Sequence, residues 1–461
     1  MYLDFLLFYI ERILKKLAET DSFIRFFLGC KKRFNRWDKN EIQTYQVEKA
    51  KDTVKFVFNN STFFKKHYHN CNLDDVWNLP TVNKKTMMDN ISDYNTVGLS
   101  KQQLIDFTNR IEKEQNYNER LESYNVAMSS GTSGNRGIVI TSPKEEKYLQ
   151  AAFFARFSFP RIFRIKWAFL LRITTPAFQV KRFGQELTHI SLQLTHEKIL
   201  DKLQKFRPNI LSAPPSMLKI LAKDITEGRL KIKPKRVVSY AEVLEPEVKL
   251  ELEEIFNTQI HQIYQGSEGS IGLTCKCGSL HVNEDLVKLQ LLNKDDSLTQ
   301  PGNPCFQSIV TDLHKTSQPI IRFELNDIIT ISPDRCQCGS NFRVIEQIMG
   351  RADDLFWSKR KDTEELQYIY PDYIRRAIIS SSNNIDEYQA IQKNFEKVLV
   401  RLLLKSKNVV KEDIKKAIQT NIADVFRKYN CREPTIEVRF EKPQRNIYSN
   451  KLIRIHCEFK I

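Results

Sequence analysis

Short apolar segments alternate with amphipathic ones between about residues 145 and 350, and this alternation constrains the fold more than any other feature. Strand-like runs at 209–212, 236–239 and 259–264 are separated by helix-like runs at 216–223 and 246–256. Strands that alternate with helices in this way favour an α/β domain with a largely parallel sheet. We therefore predict an α/β fold in which mixed and parallel sheets are combined with helices.

The regions on either side of this alternation differ from it and from each other. Residues 1–75 have few glycines and are predicted to be a helical N-terminal segment, followed by the main part of the large domain at 76–352. Residues 353–461 contain a strand at 398–404, a long helix at 411–429 and two later strands, which is typical of a small α+β domain. The sequence thus predicts a large domain and a small C-terminal domain.

Composition limits the class of protein and its partners. The hydrophobic fraction is 41% and the charged fraction 28%, as in soluble globular chains and unlike disordered ones. The net charge of +16 favours an anionic partner, although the charges are dispersed and also fit a solvated surface with a positive bias. The 9 cysteines are too few for a disulfide scaffold in 461 residues, so we expect a reducing, cytoplasmic location.

The N-terminal 20 residues are predicted to form an amphipathic helix. Their longest uncharged run, at 5–10, is far shorter than the roughly 20 apolar residues of a membrane span. We expect neither a transmembrane segment nor a signal peptide. Packing on the domain and peripheral contact with a membrane both remain open. The apolar positions at helical spacing are Leu6, Ile10, Ile13, Leu14 and Leu17.

A glycine-rich segment between two strand-like runs is the clearest candidate for binding phosphate. Its glycines permit positive φ, and successive backbone N–H groups can then form a concave anion site. The segment lacks the Gly-Lys-Ser/Thr of a Walker loop and does not match the dinucleotide fingerprint. A flexible turn rich in serine and glycine is the alternative. The segment consists of Ser129, Ser130, Gly131, Thr132, Ser133, Gly134, Asn135, Arg136 and Gly137.

Two carboxylates occur next to strand-like runs farther along the chain. Glu268 follows the strand that ends near Tyr264, where it could hold Mg²⁺ bound to phosphates while the ring lies against a base or substrate. Asp327 could accept two hydrogen bonds from ribose hydroxyls. Taken alone, each carboxylate also fits an exposed loop or a turn.

Two further candidates lie on the C-terminal side. The polar run at 350–354 contains Arg351 and Asp353 and marks the change in pattern, where a hinge between domains is expected. Lys451 lies in a polar segment near the C-terminus. An ordinary linker and a solvated lysine are the respective alternatives.

The order and spacing of these five segments resemble the motif series of the adenylate-forming enzymes, which include acyl- and aryl-CoA ligases. Other stretches are similar to the phenylacetate–CoA ligase branch, with its capsule-cluster proteins and its synthetases that adenylylate a deazaflavin coenzyme. These stretches are LHVNED at 280–285, TDL at 311–313, CQCG at 336–339 and IMGR at 348–351. The resemblance covers roughly residues 75–461.

This resemblance implies an ATP-dependent ligase that converts a small carboxylic acid, most often an aryl acid, to an acyl-AMP with release of pyrophosphate. The acyl group would then pass to the thiol of CoA or of an acyl carrier protein. The loop at 129–137 would cover the β- and γ-phosphates, and Glu268 would hold Mg²⁺. Tyr264 would line the acyl-adenylate site, and Asp327 would bind the ribose with Arg351 nearby.

The resemblance also assigns roles to the C-terminal candidates. Asp353 would be the hinge about which the small domain turns, and Lys451 would bridge the substrate carboxylate and the α-phosphate. Three of the motifs depart from the family pattern. Arg136 stands where the loop usually has lysine, Leu325-Asn326 replaces Thr-Gly, and Asn450 replaces the glycine before the lysine.

Two Cys-x-Cys pairs and a nearby histidine suggest a metal site. Two pairs of thiolates and one imidazole offer five candidate ligands for a tetrahedral Zn²⁺. Free, partly buried cysteines in a reducing compartment are the alternative. We expect about one structural zinc per chain, holding two loops together beside the nucleotide pocket. The candidate ligands are Cys275, Cys277, His281, Cys336 and Cys338.

Two other functions remain open from the sequence. The same motifs could transfer AMP to a phenolic hydroxyl of a coenzyme, in which case AMP would stay on the product. A non-catalytic basic protein that binds an anionic surface is the other alternative, but the chain lacks the aromatic–basic motifs typical of single-strand nucleic-acid binders, so no nucleic-acid partner is expected. A homodimer is compatible with the sequence.

Overall fold

The structure, a computed structural model, describes residues 22–114, 116, 119–128, 137–160, 164–171, 180–182, 185–406, 409–445 and 452–459. Within these ranges no helix is both long enough and apolar enough to span a bilayer. The predicted helix at residues 6–17, the glycine-rich segment at 129–136 and Lys451 lie outside the described residues.

Helices dominate the described part of the chain before the first strand, as the sequence predicts. Asp38 begins the longest of them with a capping box, in which it accepts the N–H of Glu41 at 2.8 Å while the Glu41 carboxylate accepts the N–H of Asp38 at 2.8 Å. Ser61 ends that helix and caps the next. The helices are α1 (Ser22–Arg36), α2 (Lys39–Asn60), α3 (Thr62–His67), α4 (Lys84–Asp89), α5 (Ile91–Tyr94) and α6 (Lys101–Glu114).

The central region alternates strands with helices. Pro143, Pro215 and Pro246 each stand in the first turn of a helix, where their fixed φ suits the helix and a missing N–H costs nothing. The elements are β1 (Asn125–Met128), β2 (Ile138–Thr141), α7 (Pro143–Arg156), β3 (Ile165–Leu171), β4 (Val180–Arg182), β5 (Gln185–Ser191), α8 (His196–Phe206), β6 (Ile210–Ala213), α9 (Pro215–Thr226), β7 (Arg236–Tyr240), α10 (Pro246–Phe256) and β8 (Ile260–Gly266).

After β8 the chain changes from alternating helices and strands to a run of strands. Short turns connect most of them, so neighbours in sequence pair antiparallel. The strands are β9 (Gly269–Thr274), β10 (Leu280–Val282), β11 (Val287–Leu292), β12 (Gln307–Asp312), β13 (Phe323–Glu324), β14 (Asp327–Ile331) and β15 (Val344–Arg351).

A ten-stranded sheet unites the two halves of the large domain, in the order β14-β15-β10-β9-β8-β7-β6-β3-β5-β4. Along this order the strands β8, β7, β6, β3 and β5 are parallel, whereas the pairs from β8 to β14 are antiparallel. Helices connect β5 to β6, β6 to β7 and β7 to β8. The carboxyl ends of β7 and β8 therefore lie side by side, at the edge where open α/β sheets bind ligands. The prediction of a mixed α/β fold is confirmed.

Two smaller sheets flank this one and bring distant segments together. β11, β12 and β13 form a three-stranded sheet, and β1 pairs with β2. Val82 forms a parallel bridge with Phe323, so the segment before α4 runs beside the one that leads to Asp327. Side chains from the N-terminal helices and from these sheets share one hydrophobic core.

The C-terminal part has its own hydrophobic core, in which α12 packs its apolar side against the sheet. Its four-stranded sheet has the order β20-β19-β18-β21. The small α+β part that the sequence predicts is present, while the exact domain boundaries stay a prediction. Its elements are β16 (Phe356–Lys359), β17 (Leu366–Ile369), α11 (Pro371–Ile379), β18 (Ile385–Asn394), β19 (Lys397–Leu404), α12 (Lys411–Lys428), β20 (Thr435–Arg439) and β21 (Ile455–Cys457).

Candidate functional site

A cavity of about 550 Å³ lies where the large domain meets the C-terminal part. Its volume is within the range of pockets that hold a small-molecule ligand or cofactor. The carboxyl ends of β7 and β8, the loop before β14, the end of β15 and the last described segment all contribute to its wall. The candidates on the wall are Tyr264, Glu268, Asp327 and Arg351, together with Leu452 and Arg454.

Tyr264 and Asp327 are in direct contact across this cavity. The phenol of Tyr264 donates a hydrogen bond to Oδ2 of Asp327, which leaves Oδ1 able to accept from another group. Burial, which the hydrogen bond from Tyr264 and the charge of Arg351 only partly offset, raises the pKa of Asp327 to about 6. Burial and the charge of Asp327 raise the pKa of Tyr264 well above its ordinary value, so the phenol keeps its proton.

Glu268 stands in the tight turn between β8 and β9. Gly269, at φ +132°, adopts a conformation that favours glycine, and a Cβ there would meet Oδ2 of Asp312 at 3.0 Å. The buried ammonium of Lys315 donates a hydrogen bond to the backbone carbonyl of Ser267 at 3.3 Å and so stabilises the turn. The turn therefore presents a half-buried Glu268 to the cavity from a fixed backbone.

The polar run after β15 is tied to the loop before β14. The amide of Asn326 donates to the carboxylate of Asp353, and its Oδ1 accepts the Asp353 N–H at 3.2 Å. Arg351 Nη2 lies 3.9 Å from Asp353 Oδ2. Asn326 has φ +63°, a left-handed conformation that asparagine tolerates better than most residues. This explains how asparagine can stand where the family usually has glycine.

The structure brings four of the predicted nucleotide-site residues to one cavity: Tyr264, Glu268, Asp327 and Arg351. Asp353 lies just beyond it, while the adjacent Asp354 lines the wall. The predicted phosphate loop, Ser129 to Arg136, and Lys451 lie outside the described residues. Their roles stay predictions, as do those of the four residues on the wall.

Lys84 is a neighbour of this site that the motifs did not reveal. It lies in the first turn of α4, half-buried, whereas the adjacent Lys85 pairs with Asp89 on the surface at 2.9 Å. Burial lowers the pKa of Lys84; the charge of Glu268 opposes this and that of Arg351 adds to it. Long-range contacts such as the pairing of Val82 with Phe323 bring α4 here, so no local sequence signal could have identified this lysine.

A second cluster combines three cysteines and one histidine. The Sγ atoms of Cys275 and Cys336 are 3.6 Å apart, and Cys338 Sγ lies 3.4 Å from His281 Nε2. The four candidate ligand atoms all lie within 4.8 Å of one another. A tetrahedral zinc with Zn–S bonds of about 2.3 Å separates its sulfur ligands by about 3.8 Å, so the cluster fits such an ion.

Neighbouring groups orient the cluster. Nδ1 of His281 donates to the carbonyl of Phe342 at 2.8 Å, so its Nε2 is left with a lone pair that faces the thiols. Burial raises the pKa of Cys336, but its contact with the Ser279 hydroxyl and the backbone N–H of Cys338 outweigh this and lower it to about 6. A thiolate, the form that binds metal, is thus favoured at this position.

The fifth predicted ligand, Cys277, does not join the cluster. Its side chain is exposed, and its backbone N–H points to Sγ of Cys275 at 3.3 Å. The chain turns between the two residues, so their side chains diverge. This pair therefore contributes one ligand, Cys275, instead of two. On the other loop, Cys336 and Cys338 both reach the cluster.

Comparisons with known proteins find sequence relatives over part of the chain and similar folds over a longer span. No protein-family model matches the chain. It is 22% identical over 217 residues to the phenylacetate–coenzyme A ligase of Thermus thermophilus, covering 45% of this chain and 47% of that protein. It is 21% identical over 248 residues to Protein CapK of Staphylococcus aureus, covering 50% and 52%. The chain thus spans about half the length of these curated relatives.

Solved structures share the fold over a longer span. A 2-hydroxyisobutyryl-CoA ligase in the postadenylation state superposes with a TM-score of 0.68 at 14% identity, covering 93% of this chain and 91% of that one. An anthranilate CoA ligase in complex with anthranoyl-AMP gives a TM-score of 0.52 at 15% identity, covering 72% and 66%. As the motifs predict, the chain has the fold of the adenylate-forming ligases and sequence similarity to their phenylacetate–CoA ligase branch.

Proposed function

We propose that the protein is a ligase that activates a carboxylic acid with ATP. A carboxylate oxygen attacks the α-phosphorus, the bond to the β-phosphate breaks, and pyrophosphate leaves. A thiol of CoA or of a carrier protein then attacks the carbonyl carbon and releases AMP. The observation that carries the proposal is the shared cavity, which has Tyr264, Glu268, Asp327 and Arg351 on its wall.

The charges around the cavity suit this reaction. The substrate carboxylate and ATP are both anions, so their approach requires positioning and neutralisation more than covalent help. Oδ1 of Asp327 is free of Tyr264 and could accept from a ribose hydroxyl. Arg351 contributes positive charge on the same wall. Lys451 would supply the cation that contacts both the carboxylate and the α-phosphate.

Two metal ions fit the described residues. Glu268 would hold Mg²⁺, which when bound neutralises the phosphates of ATP. Cys275, His281, Cys336 and Cys338 would hold one Zn²⁺ with no open position for a substrate, so this ion would be structural. It would tie the loop after β9 to the loop before β15, next to the cavity.

An aryl acid is the proposed substrate class. The wall next to the ends of β7 and β8 includes the small or apolar side chains of Ser239, Ala241, Val243 and Ile263. A flat ring can lie against such a surface, while its carboxylate faces the positive charge of Arg351. The resemblance to phenylacetate–CoA ligase supports the same class. CoA and a carrier protein are both compatible acceptors.

Carboxylate-dependent exchange between ATP and pyrophosphate tests this proposal. A panel of aryl and fatty acids would be assayed with the zinc-loaded protein, with Lys451→Ala and the control Lys442→Ala, an exposed lysine of the same C-terminal part. We expect exchange with one class of acid, a loss of at least about 100-fold in Lys451→Ala, and little change in the control. If folded protein catalyses no exchange with any acid of the panel, acid activation is contradicted and transfer of AMP to a hydroxyl is favoured.

A further inference from the structure

A carboxylate at the start of α10 contacts the C-terminal part instead of capping its own helix. Glu245 occupies the N-cap position of α10 but makes no side-chain capping hydrogen bond. Its Oε1 accepts a hydrogen bond from the Tyr388 hydroxyl at 3.1 Å and lies 3.7 Å from Nη1 of Arg454. The contact therefore joins the large domain to β18 and to the segment just before β21.

The surroundings make this contact stronger than an ordinary surface ion pair. The Glu245 side chain is 12% exposed, that of Arg454 is 20% exposed, and Tyr388 is 4% exposed. The Arg454 guanidinium also lies 5.9 Å from the centroid of the Tyr388 ring. Because little water reaches these groups, the charges are weakly screened.

A second ion pair along the same interface involves Glu247, two residues farther along the chain. Glu247, in the first turn of α10, pairs with Nη1 of Arg375 at 2.8 Å. Arg375 is buried in α11 and is fixed from its own side by Asp372, whose Oδ1 accepts from Nε at 2.7 Å. Two pairs thus tie the first turn of α10 to separate elements of the C-terminal part, but only Glu245 reaches the terminal segment.

The position of Arg454 gives the contact its consequence. The segment 452–455 lines the cavity and begins one residue after Lys451. The role proposed for Lys451 therefore connects the contact at Arg454 with formation of the acyl-AMP.

We propose that Glu245 is a positioning residue, which holds the 452–455 segment against the cavity through Arg454 and Tyr388 and so favours formation of the acyl-AMP over transfer of the acyl group. This inference rests on the proposed function. In the transfer step the thiol sulfur bonds to the carbonyl carbon, the bond to AMP breaks, and the thiol proton leaves to solvent. Lys451 has no bond to make in that step, so release of the contact does not slow it.

The test measures the two half-reactions separately in Glu245→Ala, Glu245→Gln and the control Glu251→Ala, which removes an exposed carboxylate of the same helix. We expect exchange of ATP with pyrophosphate to fall by about tenfold in Glu245→Ala and less in Glu245→Gln, which keeps an acceptor for Tyr388. Transfer from a supplied acyl-AMP to the thiol should be unchanged or faster. An equal loss in both half-reactions, or no loss in exchange, would overturn the proposal.

Hydrogen exchange of the backbone amides at 452–457 separates this inference from the proposed function. We expect these amides to exchange several-fold faster in Glu245→Ala than in the wild type or in Glu251→Ala. Equal rates in all three proteins would overturn the positioning role whatever the activity. If the wild type catalyses no ATP–pyrophosphate exchange, the proposed function fails, while faster amide exchange would still show that the contact restrains the segment in addition to its backbone pairing with β18.

Discussion

The cysteine–histidine cluster and the cavity around Asp327 lie on neighbouring strands of one sheet but are built in different ways. The cluster takes its ligands from two loops and one strand of the large domain, and its ligand atoms already lie within 4.8 Å of one another. The cavity takes its wall from both parts of the chain, including the 452–455 segment of the C-terminal part. The cluster lies entirely within the large domain, whereas the cavity depends on how the large domain and the C-terminal part meet.

This difference separates the roles of the two sites. A closed set of four ligands with an oriented histidine suits an ion that stabilises the fold. An open cavity with a half-buried carboxylate of raised pKa suits a ligand that arrives and leaves. Changes in the cluster should therefore act first on stability, and changes in the cavity should act first on activity.

The largest expected effect comes from removing one ligand of the cysteine–histidine cluster. Cys338→Ser removes a thiolate, so the zinc content should fall from about one per chain to near zero, and the free energy of unfolding should drop by more than about 3 kcal/mol. Metal analysis and chemical denaturation of the same preparation measure both quantities. A wild-type protein without bound zinc, purified with zinc present, would refute the metal site.

In the cavity, Asp327→Asn should impair the use of ATP without lowering stability. The variant loses charge-assisted hydrogen bonds to the ribose, so KM for ATP should rise by about 10- to 100-fold. The free energy of unfolding of the variant at pH 7 should be higher by about 1 kcal/mol. The wild-type carboxylate is ionised at this pH although its pKa is raised, which destabilises the folded state, and asparagine removes this cost. Asp201→Asn, on the surface of α8, is the control. Lower stability with unchanged kinetics would place Asp327 with the structural residues.

The pH dependence sharpens the same comparison. Because the pKa of Asp327 is raised to about 6, the carboxylate becomes protonated below that pH and loses acceptor capacity. We expect kcat/KM for ATP to fall by about tenfold per pH unit below about pH 6. Over the same interval the destabilisation caused by the ionised Asp327 carboxylate should decrease, because the carboxylate becomes neutral. The acid limb should be absent from the profile of Asp327→Asn. An unchanged limb in that variant would assign the titration to another group.

Cys277→Ser should have the smallest effect. Because the Cys277 side chain is exposed and outside the cluster, zinc content should stay at about one per chain and stability should change by less than about 0.5 kcal/mol. The backbone N–H that contacts Cys275 is kept in this variant. Loss of zinc comparable to that in Cys338→Ser would show that Cys277 is a ligand.

The sequence predicts the parallel strands β6, β7 and β8 and the helices between them, but it does not predict the antiparallel strands β9 and β10. Between β5 and β8 the helices are long enough to show their periodicity, whereas β10 has only three residues. The predicted nucleotide residues share a cavity because each lies at the end of a strand. The hydrogen bond between Tyr264 and Asp327, the approach of Lys84 and the outward turn of Cys277 depend on tertiary packing, which local spacing does not encode.

An oxygen-transfer measurement tests the central claim, activation of a carboxylate as an acyl-AMP, most directly. The acid that supports exchange would be labelled with ¹⁸O in its carboxylate and incubated with ATP and the thiol acceptor, and the AMP product would be analysed by mass spectrometry. Attack by the carboxylate on the α-phosphorus predicts AMP that carries one ¹⁸O atom. Unlabelled AMP, or AMP that stays covalently attached to a hydroxyl of the product, would contradict the account.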